Sequence, residues 1–175
     1  MIRRAAFCAL PLVLLLEPAT ACAQGASEAA VKAAFLVKFG AYVSWPRTSG
    51  PVTICMVGRD LLGVALSEAA NGQQIDGRPV VVRRIDTVER ASGCDIAYLS
   101  GSGRQSVPAA LAALRSTPVL TVTDSRWNSA RGMIHFQIAS NRVRFHIDDR
   151  AAAASGLGIS SKLLGLGLSV RARGR

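Results

Sequence analysis

The sequence predicts an α/β fold: a three-layer sandwich with a mixed, mainly parallel sheet and an antiparallel hairpin at one edge, in the C-terminal half. Three observations predict it. Short apolar runs alternate with segments whose apolar residues recur at helical spacing, which is the pattern of a parallel sheet covered on both faces. Residues 132–148, GMIHFQIASNRVRFHID, form two alternating runs around Ser140-Asn141, which reads as a hairpin with a two-residue turn. The 175 residues, half of them hydrophobic, suffice for one domain with a proper core.

The elements follow in chain order. Residues 1–23 read as a secretory signal peptide, with Arg3 and Arg4 at its start, an apolar run over 5–16 and a small-x-small site, Ala21-Cys22-Ala23, cleaved after Ala23. The apolar run is well short of the ~20 residues that span a bilayer, so the expected product is a soluble, exported domain over 24–175. A competing reading takes Ala19-Thr20-Ala21-Cys22 as a lipoprotein box with a lipid on Cys22; the Leu usual at its first position is absent. A helix is expected over 28–44, with Val31, Phe35, Leu36, Phe39, Tyr42 and Val43 on its apolar stripe. Trp45-Pro46 ends it, since the residue before Pro is pushed out of the α region. The stripe reads as core packing, with a partner groove or dimer seam as the alternative.

A buried strand is expected over 52–57. Asp60 then caps a helix whose inner face is Leu61, Leu62, Ala65, Leu66 and Ala69, and Asn71-Gly72 stops that helix. Strands follow over 79–85 and 94–99. A helix over 106–114 has Pro108 in its first turn. A fourth strand covers 119–122 and is closed by Asp124. Within the hairpin, placing Ala139 opposite Arg142 puts Phe136 against Phe145, Ile138 against Val143 and Ile134 against Ile147, all on one face. His135 then faces His146 and Gln137 faces Arg144 on the other. A one-residue slip would mix the faces, so the register is strongly specified. Asp148 or Asp149 caps a further helix that Gly156 and Gly158 break. A last helix is expected over 160–168, and a fraying basic tail over 170–175.

Cleavage would leave Cys55 and Cys94. An even count in an oxidising compartment points to one disulfide, with two buried free thiols as the alternative. Nothing else clusters with these sulfurs at zinc-ligand spacing. The formal charge of +10 could suggest nucleic acid. An exported chain rarely meets nucleic acid, however, and the basic residues are spread singly without aromatic interleaving. An anionic membrane face or an acidic protein surface is the better reading.

The residues show no evident catalytic constellation and imply no cofactor. His135 and His146 could approach one metal ion, but two ligands are too few, and a solvated polar face explains them better. Asp148-Asp149 and Ser160-Ser161-Lys162 read as helix caps, because adjacent residues diverge on a helix. Gly58 to Gly63 lacks the ending of a phosphate loop. Gly101-Ser102-Gly103 follows a strand, where α/β sheets often bind ligands. A binding or regulatory protein, not an enzyme, is therefore expected.

Several motifs, in one order along nearly the whole mature chain, resemble the YfiR-like family. They are KAAFLVKFGAYVSWP, the strand Cys55-Met56-Val57-Gly58, the strand start Cys94-Asp95, Gly132 to Phe136, Arg144-Phe145-His146-Ile147-Asp148, and Gly156 to Leu164. Two departures stand out: His146 where the family has an acidic residue, and Arg131 where a second Gly is usual. The resemblance implies a periplasmic repressor that binds the periplasmic part of an inner-membrane diguanylate cyclase of the YfiN type, and so controls cyclic di-GMP and biofilm formation. It also implies an outer-membrane-associated lipoprotein of the YfiB type that relieves the restraint, a Cys55–Cys94 disulfide, and homodimers. On this reading His135, Gln137, Arg144 and His146 meet an acidic partner loop. The alternative is a periplasmic small-molecule sensor with its ligand near Gly101 to Gly103, feeding a membrane histidine kinase or another receptor.

Overall fold

The computed structural model describes residues 27–174. The expected signal peptide, its cleavage at Ala23 and the alternative lipid at Cys22 lie outside the described residues. In chain order the elements are α1 (Glu28–Gly40), β1 (Val43–Ser44), β2 (Val52–Gly58), α2 (Val64–Ala70), β3 (Gln74–Ile75), β4 (Arg78–Ile85), β5 (Ile96–Gly101), α3 (Val107–Ala113), β6 (Leu120–Asp124), β7 (Ile134–Ala139), β8 (Arg142–Asp148), α4 (Asp149–Ala154), β9 (Gly158–Ile159), α5 (Ser161–Leu164) and β10 (Ser169–Arg171). Eight strands form one mixed sheet in the order β10-β8-β7-β6-β5-β2-β4-β3, and β1 pairs with β9 separately. β4, β2, β5, β6 and β7 run parallel, so the expected α/β sandwich with a mainly parallel sheet is the observed fold.

The sheet carries apolar residues on both faces because helices cover both. On one side α1 and α2 close over Ile54, Met56, Ile96, Tyr98, Leu120, Val122, Ile134, Phe136, Phe145 and Ile147. Phe35, Phe39, Phe136 and Phe145 meet there with ring centroids 5.1–6.4 Å apart. The expected stripe of α1 is therefore largely core: Leu36 and Phe39 are buried, while Val31 and Phe35 are half-buried. On the other side α3 and the segment after β4 cover Cys55, Val57, Ala97 and Leu99, and the Cys55–Cys94 disulfide closes this smaller core.

Several expectations are corrected. α1 stops at Gly40 rather than running to residue 44. The chain then extends so that Val43 pairs with Ile159, and Tyr42 O accepts from Ser160 N. Tertiary pairing outweighs the helical spacing of Tyr42 and Val43 here. Asp60 does not cap α2. Its carboxylate accepts from Leu62 N and Gly63 N within a separate turn, and the helix starts at Val64 after Gly63, whose φ is 54°. β3 and its Asp76-Gly77 turn, both residues at positive φ, were not expected. The last helix is one turn long. The segment after it returns as β10, parallel to β8, so the hairpin is one strand in from the edge rather than at it.

The hairpin register is the expected one from Ile134↔Ile147 to Ala139↔Arg142, and Ser140 and Asn141 both have positive φ, as this tight turn requires. β6 reaches its parallel neighbour β7 through 125–133, a short crossover without a helix. Gly132 makes that route feasible: a Cβ there would lie 2.7 Å from Thr121 O.

Candidate functional site

Two polar constellations stand out, one expected and one missed. The expected one is the second face of the hairpin. Its four residues are not equally exposed. Arg144 is exposed and has no ion-pair partner among the described residues. Gln137 and His146 are half-buried: His146 Nε2 and Gln137 Oε1 are 2.7 Å apart, and Nδ1 lies 2.6 Å from Ser169 Oγ of β10. The amide oxygen can only accept, so Nε2 donates and Nδ1 accepts from the Ser169 hydroxyl.

His135 is only 3% exposed, so it is not on the solvated face the sequence suggested. The crossover 125–133 passes over it. Thr123 Oγ1 accepts from Gly132 N and shares a 2.8 Å hydrogen bond with His135 Nδ1. Burial, then Arg131 and His146, hold His135 below the usual histidine range, against an opposing pull from Asp124. Burial and Arg131 act the same way on His146. Both rings are therefore neutral near pH 7 and serve as fixed hydrogen-bonding groups. What this face offers a partner is Arg144, the exposed edges of Gln137 and His146, and the neighbouring strand β10.

β10 is pinned by side chains at both ends. Ser169 holds His146, Arg171 reaches Asp148 at 3.4 Å, and Arg173 grips Asp149 through two bonds of 2.8 and 3.0 Å. The expected fraying of 170–175 therefore does not hold for Val170 to Arg173. Asp148 also caps α4 by accepting from Ala151 N, and Ser160 caps α5 by accepting from Leu163 N. These acidic and hydroxyl residues thus have identifiable structural duties.

The missed constellation is a buried charge cluster at the C-terminal end of β6, beside Tyr98 of β5. Lys32 Nζ sits 2.5 Å from both Glu28 Oε1 and Asp124 Oδ2. Tyr98 donates to Asp124 Oδ2 at 2.9 Å, and Arg126 closes the ring on Glu28. Lys32, Asp124 and Tyr98 are each no more than 2% exposed. Burial and the adjacent Asp124 raise the Tyr98 phenol above its ordinary value, so it stays a donor. One signal could have found the cluster: Lys32 occupies the helical face of Leu36 and Phe39, where an apolar residue belongs. A second buried carboxylate explains the Cys94-Asp95 motif. Asp95 takes two bonds from Arg47, at 2.7 and 2.8 Å, and accepts from Thr53 N at 2.8 Å, tying the starts of β2 and β5 together.

Gly101 to Gly103 line a shallow cleft of about 470 Å³ with Arg59, Ser106, Trp127 and Asn128. It lies at the carboxyl ends of the strands, beside the point where the strand order reverses between β2 and β5. That point itself is closed. Arg59 N bonds Gly101 O at 3.0 Å, and a Cβ on Gly58 would sit 2.3 Å from the same oxygen. Among the described residues no three His, Cys, Asp or Glu side chains gather to hold a metal ion, and no helix is long and apolar enough to cross a membrane.

A family model described as YfiR/HmsC-like matches residues 29–167 of the chain. No curated protein matches it. The matched span runs from the first turn of α1 to the segment before β10, so it covers the disulfide, the four hairpin-face residues, and Lys32, Tyr98, Asp124 and Arg126 of the charge cluster, with Glu28 and Ser169 just outside it.

Proposed function

The chain belongs to the YfiR/HmsC-like family, and on that premise we propose that it is a periplasmic regulator which restrains an inner-membrane diguanylate cyclase of the YfiN type by binding its periplasmic part. The observation that carries the reading is the family match across almost the whole described domain. The architecture is compatible with it: a disulfide-closed sheet holds Arg144 and the His146–Gln137 pair in fixed positions, as a docking surface requires. Release of the restraint by an outer-membrane-associated lipoprotein of the YfiB type, and homodimer formation, belong to the same proposal, as does export through the 1–23 leader.

The test is cyclic di-GMP in cells. Deleting the gene should raise cyclic di-GMP and biofilm formation, and the wild-type chain should restore both. The Arg144→Glu variant should fold normally, weaken capture of the cyclase's periplasmic part roughly tenfold, and restore poorly. Unchanged cyclic di-GMP in the deletion strain would overturn the proposal. The small-molecule sensor is the second reading. The cleft by Arg59 and Trp127 is what it would use, and a ligand-dependent rise in melting temperature would support it.

A further inference from the structure

The two edges of the main sheet are finished differently. On one side β4 carries Arg83 and Arg84, which bond Ser92 O and Asp60, and the short β3 covers its start. Charge and a short cap are the usual guards of an edge. On the other side β10 is exposed along its whole length, and Leu166, Leu168 and Val170 stand 58, 41 and 38% exposed at alternating positions. Leu168 N donates inward to Phe145 O. Asp148 N bonds Met133 O, so Asp148 faces β7 and Ile147 faces β10. In a parallel pair both backbone groups of a residue point the same way. In the register Val170↔Ile147 those of Ser169 and Arg171 then turn inward to Ile147, and those of Val170 point outward, away from β8. Arg171 and Arg173 are folded back onto Asp148 and Asp149 and leave the outward groups of Val170 open.

Charge around this edge is one-sided. Arg131, Arg144 and Arg150, from the crossover, β8 and α4, have no ion-pair partner among the described residues, and α4 packs on β10. The described acidic residues without such a partner are Glu68, Asp76 and Glu89. They lie in α2, in the β3–β4 turn and after β4, towards the opposite end of the strand order. Two copies joined through this edge would therefore set like cations against each other.

We propose that β10 is a strand-addition site for an extended segment in which apolar and acidic residues alternate. The segment's backbone pairs with Val170. Its apolar side chains lie beside Leu168 and Val170, and its carboxylates lie on the Arg144 face. The inference takes its biological meaning from the docking role proposed above, but the peptide test addresses the edge alone, so loss of peptide binding and loss of cyclase restraint are separate results.

The test uses the oxidised mature chain and a fluorescent peptide of about eight residues alternating Glu and Val, long enough for one strand. Anisotropy should show binding that salt weakens, with the Lys-Val counterpart at least about tenfold weaker. Both Val170→Lys and Arg144→Glu should reduce binding of the acidic peptide by about tenfold, while their melting temperatures stay within a few degrees of wild type. Hydrogen exchange of the native chain should slow at Val170 when the acidic peptide is added. Absence of binding, equal binding of the two peptides, or binding without protection of the Val170 amide would overturn the proposal. So would a dimer that protects it without any peptide.

Discussion

Lys32 carries a full charge into a helical face otherwise made of Leu36 and Phe39, and the fold tolerates it because Glu28, Asp124 and Tyr98 surround the ammonium. Replacing both members of a buried pair with apolar groups can be nearly neutral, whereas removing one leaves an uncompensated charge. Lys32→Met should therefore cost about 3–5 kcal/mol in urea unfolding, and pairing it with Asp124→Leu should cost less than the sum of the two single changes. The histidines give a second prediction at this scale. The unfolded chain protonates them near the ordinary value of 6.5, but burial and Arg131 hold His135 and His146 lower in the native state. Below 6.5 the unfolded state thus binds more protons, and stability falls with acidification. Melting temperature should decline from pH 7 towards pH 5.5, and less steeply in His146→Asn.

Among the elements, the crossover between β6 and β7 is tightly built. It joins two parallel strands without a helix by pressing Gly132 onto Thr121 and hanging Gly132 N and Met133 N on the hydroxyls of Thr123 and Thr121. Parallel neighbours usually need a longer connection. Gly132→Ala should destabilise the protein by about 1–3 kcal/mol, because the obstructing atom is backbone and cannot swing aside. Equal denaturant midpoints for variant and wild type would show that the crossover can shift. The hairpin beyond it was legible in the sequence down to each cross-strand pair, since only one register keeps Phe136, Phe145, Ile134 and Ile147 together.

For the molecule as a whole, the disulfide joins the start of β5 to the middle of β2 and closes the smaller core, where α3 is the main cover. In the chain-entropy model a loop of this size stabilises by roughly 4 kcal/mol, an upper figure that corresponds to about 10 °C in melting temperature for a domain of this length. Cys94→Ser should lower the melting temperature towards that extent, and reductant should do the same to wild type but not to the variant. Calorimetry with and without reductant checks both.

Local pattern alone determined the α/β class, most of the strands and helices, the hairpin register and the face of α1 that enters the core. All of these follow from side-chain periodicity, which is written in consecutive residues. Only the tertiary structure decided that Val43 leaves the helix to pair with Ile159, that the last residues return as β10 beside β8, and that His135 is roofed over while Arg144 stays open. The charge cluster around Lys32 was equally hidden, apart from the one misplaced polar residue in the α1 stripe. Each of these depends on what a distant segment brings to the same place, and a pairing between residues far apart in the chain leaves no periodic trace in either partner.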